Sequence, residues 1–269
     1  MRRLLLLTVI AASTIIGSTS VLAQSAISIE KDLLAKIKKV ISSSAYTGVR
    51  DDTALEKAND DLKQALIKYA GLAATLKYAF PRLSKEIDVV TSADKRFRVY
   101  TWDRQDGGTM HFYETVYQYI GADGKSYGRG VDPPEDPDED VGDSGAYVID
   151  VYMLDTKPGR AYLVQSSSRL SSSEITEQID LFRIDGNKLD TDPKLIKTAE
   201  GLTSSLGFEF DLFSVLNLKK RPIRLIKYDA AAKTITLPVV IPTRKYQYGM
   251  VTSRKITYKF NGIHFVKIG

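Results

Sequence analysis

Four Asp-Gly or Asn-Gly steps, at Asp106-Gly107, Asp123-Gly124, Asp185-Gly186 and Asn261-Gly262, interrupt short apolar runs across the last two thirds of the chain. Such dipeptides supply the positive φ angles of tight hairpins, so this alternation restricts the fold more than any other feature. It predicts strands at Arg96 to Asp103, Thr109 to Ile120, Ala146 to Leu154, Arg160 to Gln165 and Glu174 to Ile184. Further strands are predicted at Phe208 to Leu216, Ile223 to Tyr228, Thr234 to Ile241, Lys255 to Phe260 and Ile263 to Ile268. The segments IDLFRIDGNKL, IRLIKYDAAAKTITL and ITYKFNGIHFVKI share one hairpin grammar, but their uneven spacing argues against a repeat or propeller. No βαβ alternation is present, which speaks against a nucleotide-binding α/β fold.

Before residue 86 the period changes to helical. Leu33, Leu34, Ile37, Val40 and Ile41 recur at three-and-four spacing, with Glu30, Lys31, Lys38 and Lys39 off that stripe. After Ser42-Ser43-Ser44 and Gly48, a second helix is expected, capped by Asp51 or Asp52 and stopped at Gly71. Its stripe is Leu55, Ala58, Leu62, Ala65, Leu66 and Tyr69. Two such helices cannot bury both stripes against each other alone. The expected architecture is therefore α+β, a helical hairpin (24–85) packed on a large antiparallel β-meander (86–269), as a sandwich or partly closed barrel.

The first 23 residues carry an address. Arg2 and Arg3 precede an apolar run from Leu4 to Ile16, and Val21-Leu22-Ala23 precedes Gln24. A basic start, a short apolar stretch and small residues at minus three and minus one form a cleavable secretory signal peptide. The run falls short of the roughly 20 apolar residues of a membrane span. The arginines lack the flanking residues of a twin-arginine signal, which favours the general secretory route. The chain has no cysteine, which points to a bacterial exported protein and leaves no site for a lipid anchor. No second apolar stretch of membrane length follows. The expected location is periplasmic or extracellular, a setting that argues against nucleic acid as a partner.

Without residues 1–23 the chain has 36 basic and 33 acidic residues, and the balance is unevenly placed. Asp132 to Asp143, DPPEDPDEDVGD, contains seven acids and three prolines and reads as a solvated insertion. Asp136, Asp138 and Asp140 have the alternate spacing of calcium ligands. Val141 stands where an EF-hand needs glycine and Tyr147 where it needs glutamate, so only an irregular, weak calcium site is open. A third reading folds the loop over a basic surface of the same protein. The cluster Lys219, Lys220, Arg221, Arg224 and Lys227 reads as a solvated loop entering a strand, with an anionic polymer or phospholipid headgroups as the functional alternative.

Tyr100 to Phe112 has the form YxWDxxxGGTMHF, and Lys259 to Phe265 the form KFNGxxF. With the helical start, these segments resemble a group of secreted bacterial proteins of no known activity. The resemblance implies a helical N-terminus and a β-rich body, and brings no functional residue with it. Physically, a four-residue connection between the two strands of this hairpin sets Trp102 opposite His111 and Tyr100 opposite Tyr113. Arg98, Tyr100, Trp102, His111 and Tyr113 then share one cation-flanked aromatic face, suited to stacking on sugars or peptides or to packing the helical hairpin. A one-residue slip would scatter the set.

Catalytic signals are sparse. His111 and His264 are the only histidines, without HExxH spacing or neighbouring metal ligands. Ser166 to Glu174, SSSRLSSSE, lacks a Gly-x-Ser-x-Gly elbow and reads as a polar loop. Gly107-Gly108 reads as a turn. Asp103 and Glu114 are conceivable as a glycosidase pair flanking Trp102. The sequence thus points to an exported, non-enzymatic binding or interaction module of the bacterial envelope, with polysaccharide or another envelope protein as ligand and no cofactor apart from weak calcium. The alternative is an extracytoplasmic hydrolase assembled from distant residues.

Overall fold

The computed structural model describes residues 10–44, 51–131, 144–218 and 223–268. The acidic segment, the calcium candidates Asp136, Asp138 and Asp140, and Lys219, Lys220 and Arg221 lie outside them.

Helix α1 (Ile10–Ser43) runs through the predicted cleavage point between Ala23 and Gln24. Helix α2 (Asp52–Ala70) is capped by Asp51, whose carboxylate accepts from the Ala54 N–H at 2.9 Å, and ends at Gly71. Their stripes meet as the spacing requires: Leu33, Leu34, Ile37 and Val40 pack with Leu55, Ala58, Leu62 and Leu66. Among the described residues, no helix is long and apolar enough to cross a membrane. Glu30, placed off the stripe by periodicity, is buried. Its carboxylate accepts from the N–H groups of Arg82 and Leu83, at 2.8 and 3.0 Å, and from the Tyr78 hydroxyl at 2.9 Å. Burial pushes the group up, but these bonds outweigh it and hold the carboxyl below its ordinary range. A short helix α3 (Ala73–Lys77) leads into the β-rich body.

That body is three stacked sheets. The first contains β1 (Asp88–Thr91), β2 (Phe97–Asp103), β3 (Tyr113–Ile120) and β4 (Ser126–Gly130), paired in that order. The second is built from β5 (Tyr147–Thr156), β6 (Gly159–Arg169), β7 (Glu174–Asp185), the short β8 (Lys188–Asp190) and, beyond β7, β11 (Ser205–Asp211). The third joins β9 (Ile196–Lys197) and β10 (Leu202–Thr203) to β12 (Lys227–Asp229), β13 (Thr234–Ile241), β14 (Met250–Phe260) and β15 (Phe265–Lys267). Pairing is antiparallel except between β9 and β15. Among the described residues no barrel closes, and the architecture is α+β with a β-rich body.

Each interlayer core follows from alternation along the strands. Tyr100, Trp102 and Val116 of the first sheet face the helices. Phe97, Val99 and Tyr119 face the other way, onto Val151, Tyr162, Val164 and Phe182 of the second sheet. Leu163, Ile179 and Leu181 then face Ile235, Leu237, Tyr258 and Phe265 of the third. β2 is buried on both faces from Phe97 to Trp102, with Arg98 and Thr101 among the buried residues, so polar alternation could not tell its two faces apart.

A candidate cleft at the end of the second sheet

The β2–β3 connection is nine residues long, not four, because Asp103 pairs with Tyr113. It is closed by the Arg104 N–H donating to Phe112 O at 2.8 Å and by contact between His111 Nδ1 and Asp103 Oδ2 at 2.5 Å. Trp102 consequently lies opposite Glu114 and Tyr100 opposite Val116. The slip from the expected register is three residues, and an odd slip exchanges the faces. The five-residue aromatic set therefore divides. Arg98, Tyr100 and Trp102 lie under the helices, 3, 2 and 2 % exposed, with no surface to offer a ligand. His111 and Tyr113 stand elsewhere. Asp103 and Glu114 fall on opposite faces as well, so they do not form a glycosidase pair. Glu114 is bound instead by Lys63 Nζ at 2.9 Å.

The buried half of the set is satisfied internally. Arg98 donates to the carbonyls of Thr75, Leu76 and Tyr78 at 2.7, 3.2 and 2.9 Å, closing the end of α3. Its guanidinium lies 5.4 Å from the Phe80 ring centre and 5.7 Å from that of Tyr100. Trp102 Nε1 donates to Asn59 Oδ1 at 2.9 Å.

His111 and Tyr113 border a cleft of about 350 Å³ at one end of the second sheet, where the β2–β3 connection and the segment after β11 meet it. Tyr147, Ser167, Ser168 and Arg169 complete its polar wall, while Ile175, Phe210, Leu212, Leu216 and Ile223 form an apolar floor. The wall is assembled by backbone pairing: the His111 N–H donates to Arg169 O at 3.0 Å and the Tyr113 N–H to Ser144 O at 2.7 Å. The Tyr113 ring is 6.3 Å from His111, nearly parallel to it, and 5.5 Å from Tyr147. Burial, with the neighbouring Asp103 and Tyr147, pushes the Tyr113 hydroxyl far above its ordinary range, so it stays neutral and can donate.

Arg169 is exposed at the end of β6, and among the described residues no carboxylate pairs with it. Asp103 orients the His111 ring through Nδ1, and no hydrogen bond reaches Nε2 from a described residue. Sequence reasoning missed Tyr147 and Arg169, which come together with His111 only through the packing of β3, β5 and β6. It also took Ser166 to Glu174 for a loop. Ser166, Ser167 and Ser168 are buried in β6, where Ser167 donates to Thr176 O at 2.6 Å and Ser168 meets the Thr176 hydroxyl at 2.7 Å.

On the far side of Ser168 a polar groove of about 370 Å³ includes Ser166, Gln178 and Asp180. The Ser166 hydroxyl is buried there without a partner among the described residues, and burial pushes the Asp180 carboxyl up. Among the described residues no group of three or more His, Asp or Glu could hold a metal ion. The chain matches no family model, no curated protein and no solved structure.

Proposed function

We propose that this chain is an exported, non-enzymatic binding module of the bacterial envelope, and that it holds a segment of another envelope protein in the cleft beside Arg169. The observation that carries the reading is the exposed Arg169 guanidinium, without a carboxylate partner among the described residues, at an aromatic-walled, apolar-floored cleft. A cation beside Tyr113 and Tyr147 suits a carboxylate, and Ile175, Phe210 and Leu212 suit the apolar side chain next to it. A polysaccharide would use the stacking wall and the polar groove but leave the apolar floor unfilled. Export rests on residues 1–23, and N-terminal sequencing of protein recovered from the periplasm or medium should give Gln24.

Calorimetric titration separates the ligand classes. Acidic, apolar peptides should bind, and Arg169→Ala should weaken them roughly 10-fold, with most of the salt dependence lost. Saturable binding of peptidoglycan glycan fragments that ignores Arg169→Ala would replace the peptide reading with the polysaccharide one. The Asp103–His111 contact favours the hydrolase as a second reading, because a carboxylate-oriented imidazole whose Nε2 is unbonded among the described residues has the geometry of a general base. Turnover of an envelope ester or peptide that is abolished by Asp103→Asn, with folding intact, would establish it.

A further inference from the structure

We propose that the tip of the third sheet is a docking surface for an anionic lipid bilayer. Two loops meet there. The single helical turn after β11 carries Phe213, 55 % exposed, and leads to Leu218, 42 % exposed. β13 ends at Ile241, 37 % exposed, and the β13–β14 connection that follows carries Arg244 and Lys245, both exposed. The loops are fastened to each other: the Asp211 N–H donates to Gly249 O at 2.9 Å, and the Val251 N–H to the Ser214 hydroxyl at 3.2 Å. Beneath them Phe210, Val215, Leu225, Val240 and Val251 form a small core of their own. The apolar side chains are thus held outward on a fixed base.

Charge identifies the partner. Between Leu212 and Gly269 the chain has 12 lysines and arginines and one acid, Asp229. Asp229 lies at the end of β12 and not in either tip loop. Lys227, Lys255 and Lys259 occupy the outward face of the same sheet, opposite Ile235, Leu237 and Tyr258, and extend the positive field away from the tip. A connection with Arg244, Lys245, Tyr246 and Tyr248, fastened to a segment with exposed Phe213 and Leu218, is what a headgroup layer over an acyl interior accepts. An anionic glycan would pair with the cations but give Phe213 and Leu218 nothing to bury against.

The absence of cysteine allows a direct test in the full chain. Leu218→Cys, labelled with an environment-sensitive fluorophore, should shift to the blue and resist iodide when phosphatidylglycerol vesicles are added, and should not respond to phosphatidylcholine vesicles. In that labelled protein Arg244→Ala with Lys245→Ala should lower the apparent vesicle affinity roughly 10-fold at unchanged melting temperature. The reporter is local, so binding through the apolar N-terminal run would leave it in water. A label that stays exposed with phosphatidylglycerol, or an affinity indifferent to Arg244 and Lys245, overturns the proposal. A Phe213→Cys label provides the same readout should Leu218→Cys fold poorly.

Discussion

At the scale of single residues, the decisive interactions are buried polar ones that no spacing rule reveals. Asn59 lies mid-helix in α2 on the face that periodicity assigns to core, and its amide joins three elements. It accepts from Trp102 Nε1 and donates to the carbonyls of Leu55 and Arg104, at 3.0 and 2.9 Å. Asn59→Ala leaves the indole N–H and the Arg104 carbonyl buried without partners, and should cost about 2–3 kcal/mol in denaturant unfolding. A loss below about 0.5 kcal/mol would mean that these groups reach water. Arg98 is comparable, a buried cation that donates to three carbonyls and has no carboxylate partner among the described residues. In sequence, Arg98 and Trp102 read as surface chemistry because aromatic and cationic residues alternate there. Only the partners contributed by α2 and α3, up to 43 residues away, identify them as core.

At the scale of elements, what was legible depended on local turn chemistry. Asp123-Gly124, Asp185-Gly186 and Asn261-Gly262 each sit in a hairpin connection, with Gly124, Gly186 and Gly262 at positive φ, and β13 spans the residues its pattern predicted. Asp106-Gly107 lies instead inside a longer connection tied by Asp103 and His111, so the register of β2 on β3 was not legible from the dipeptide. The strand β4, SYGRG, escaped notice because its glycines have low strand propensity. Those glycines serve packing: a Cβ on Gly128 would lie 2.3 Å from Ile67 O and 2.7 Å from Ala70 Cβ, so only glycine lets α2 rest on the sheet. Gly128→Ala should therefore cost about 2 kcal/mol or more and lower the melting temperature by several degrees. An unchanged melting temperature would show that α2 does not contact β4 this closely. Of the candidate site, His111 and Tyr113 were found in sequence. Tyr147 and Arg169 were not, because they reach the cleft through pairing between strands far apart in the chain.

At the scale of the whole molecule, four layers share three cores, and ionisation between them sets the pH response. Burial pushes the carboxyls of Asp88, Glu177 and Asp180 up, so holding them ionised at neutral pH is unfavourable and eases as pH falls toward their raised values. Glu30 and Asp94 behave oppositely. Burial raises Asp94 too, but bonds from Ser92, Arg160, the Arg96 N–H and Tyr162 outweigh it. The stabilisation from Glu30 and Asp94 is complete above their ordinary values of 4.5 and 3.8, and is lost as pH drops below them. The melting temperature should thus rise modestly from pH 7 to about 5 and fall below about pH 4. A steady decline from pH 7 downward would contradict this balance. The helices cover the Arg98–Tyr100–Trp102 row while His111 and Tyr113 stand at the cleft. Trp102 is the single tryptophan of the chain, so its emission reads that arrangement directly. In the folded protein the emission should be blue-shifted, resistant to iodide and indifferent to cleft ligands, turning red and quenchable only on unfolding. A red-shifted, iodide-quenchable tryptophan in the native state would contradict the register, the layer order and the site that follows from them.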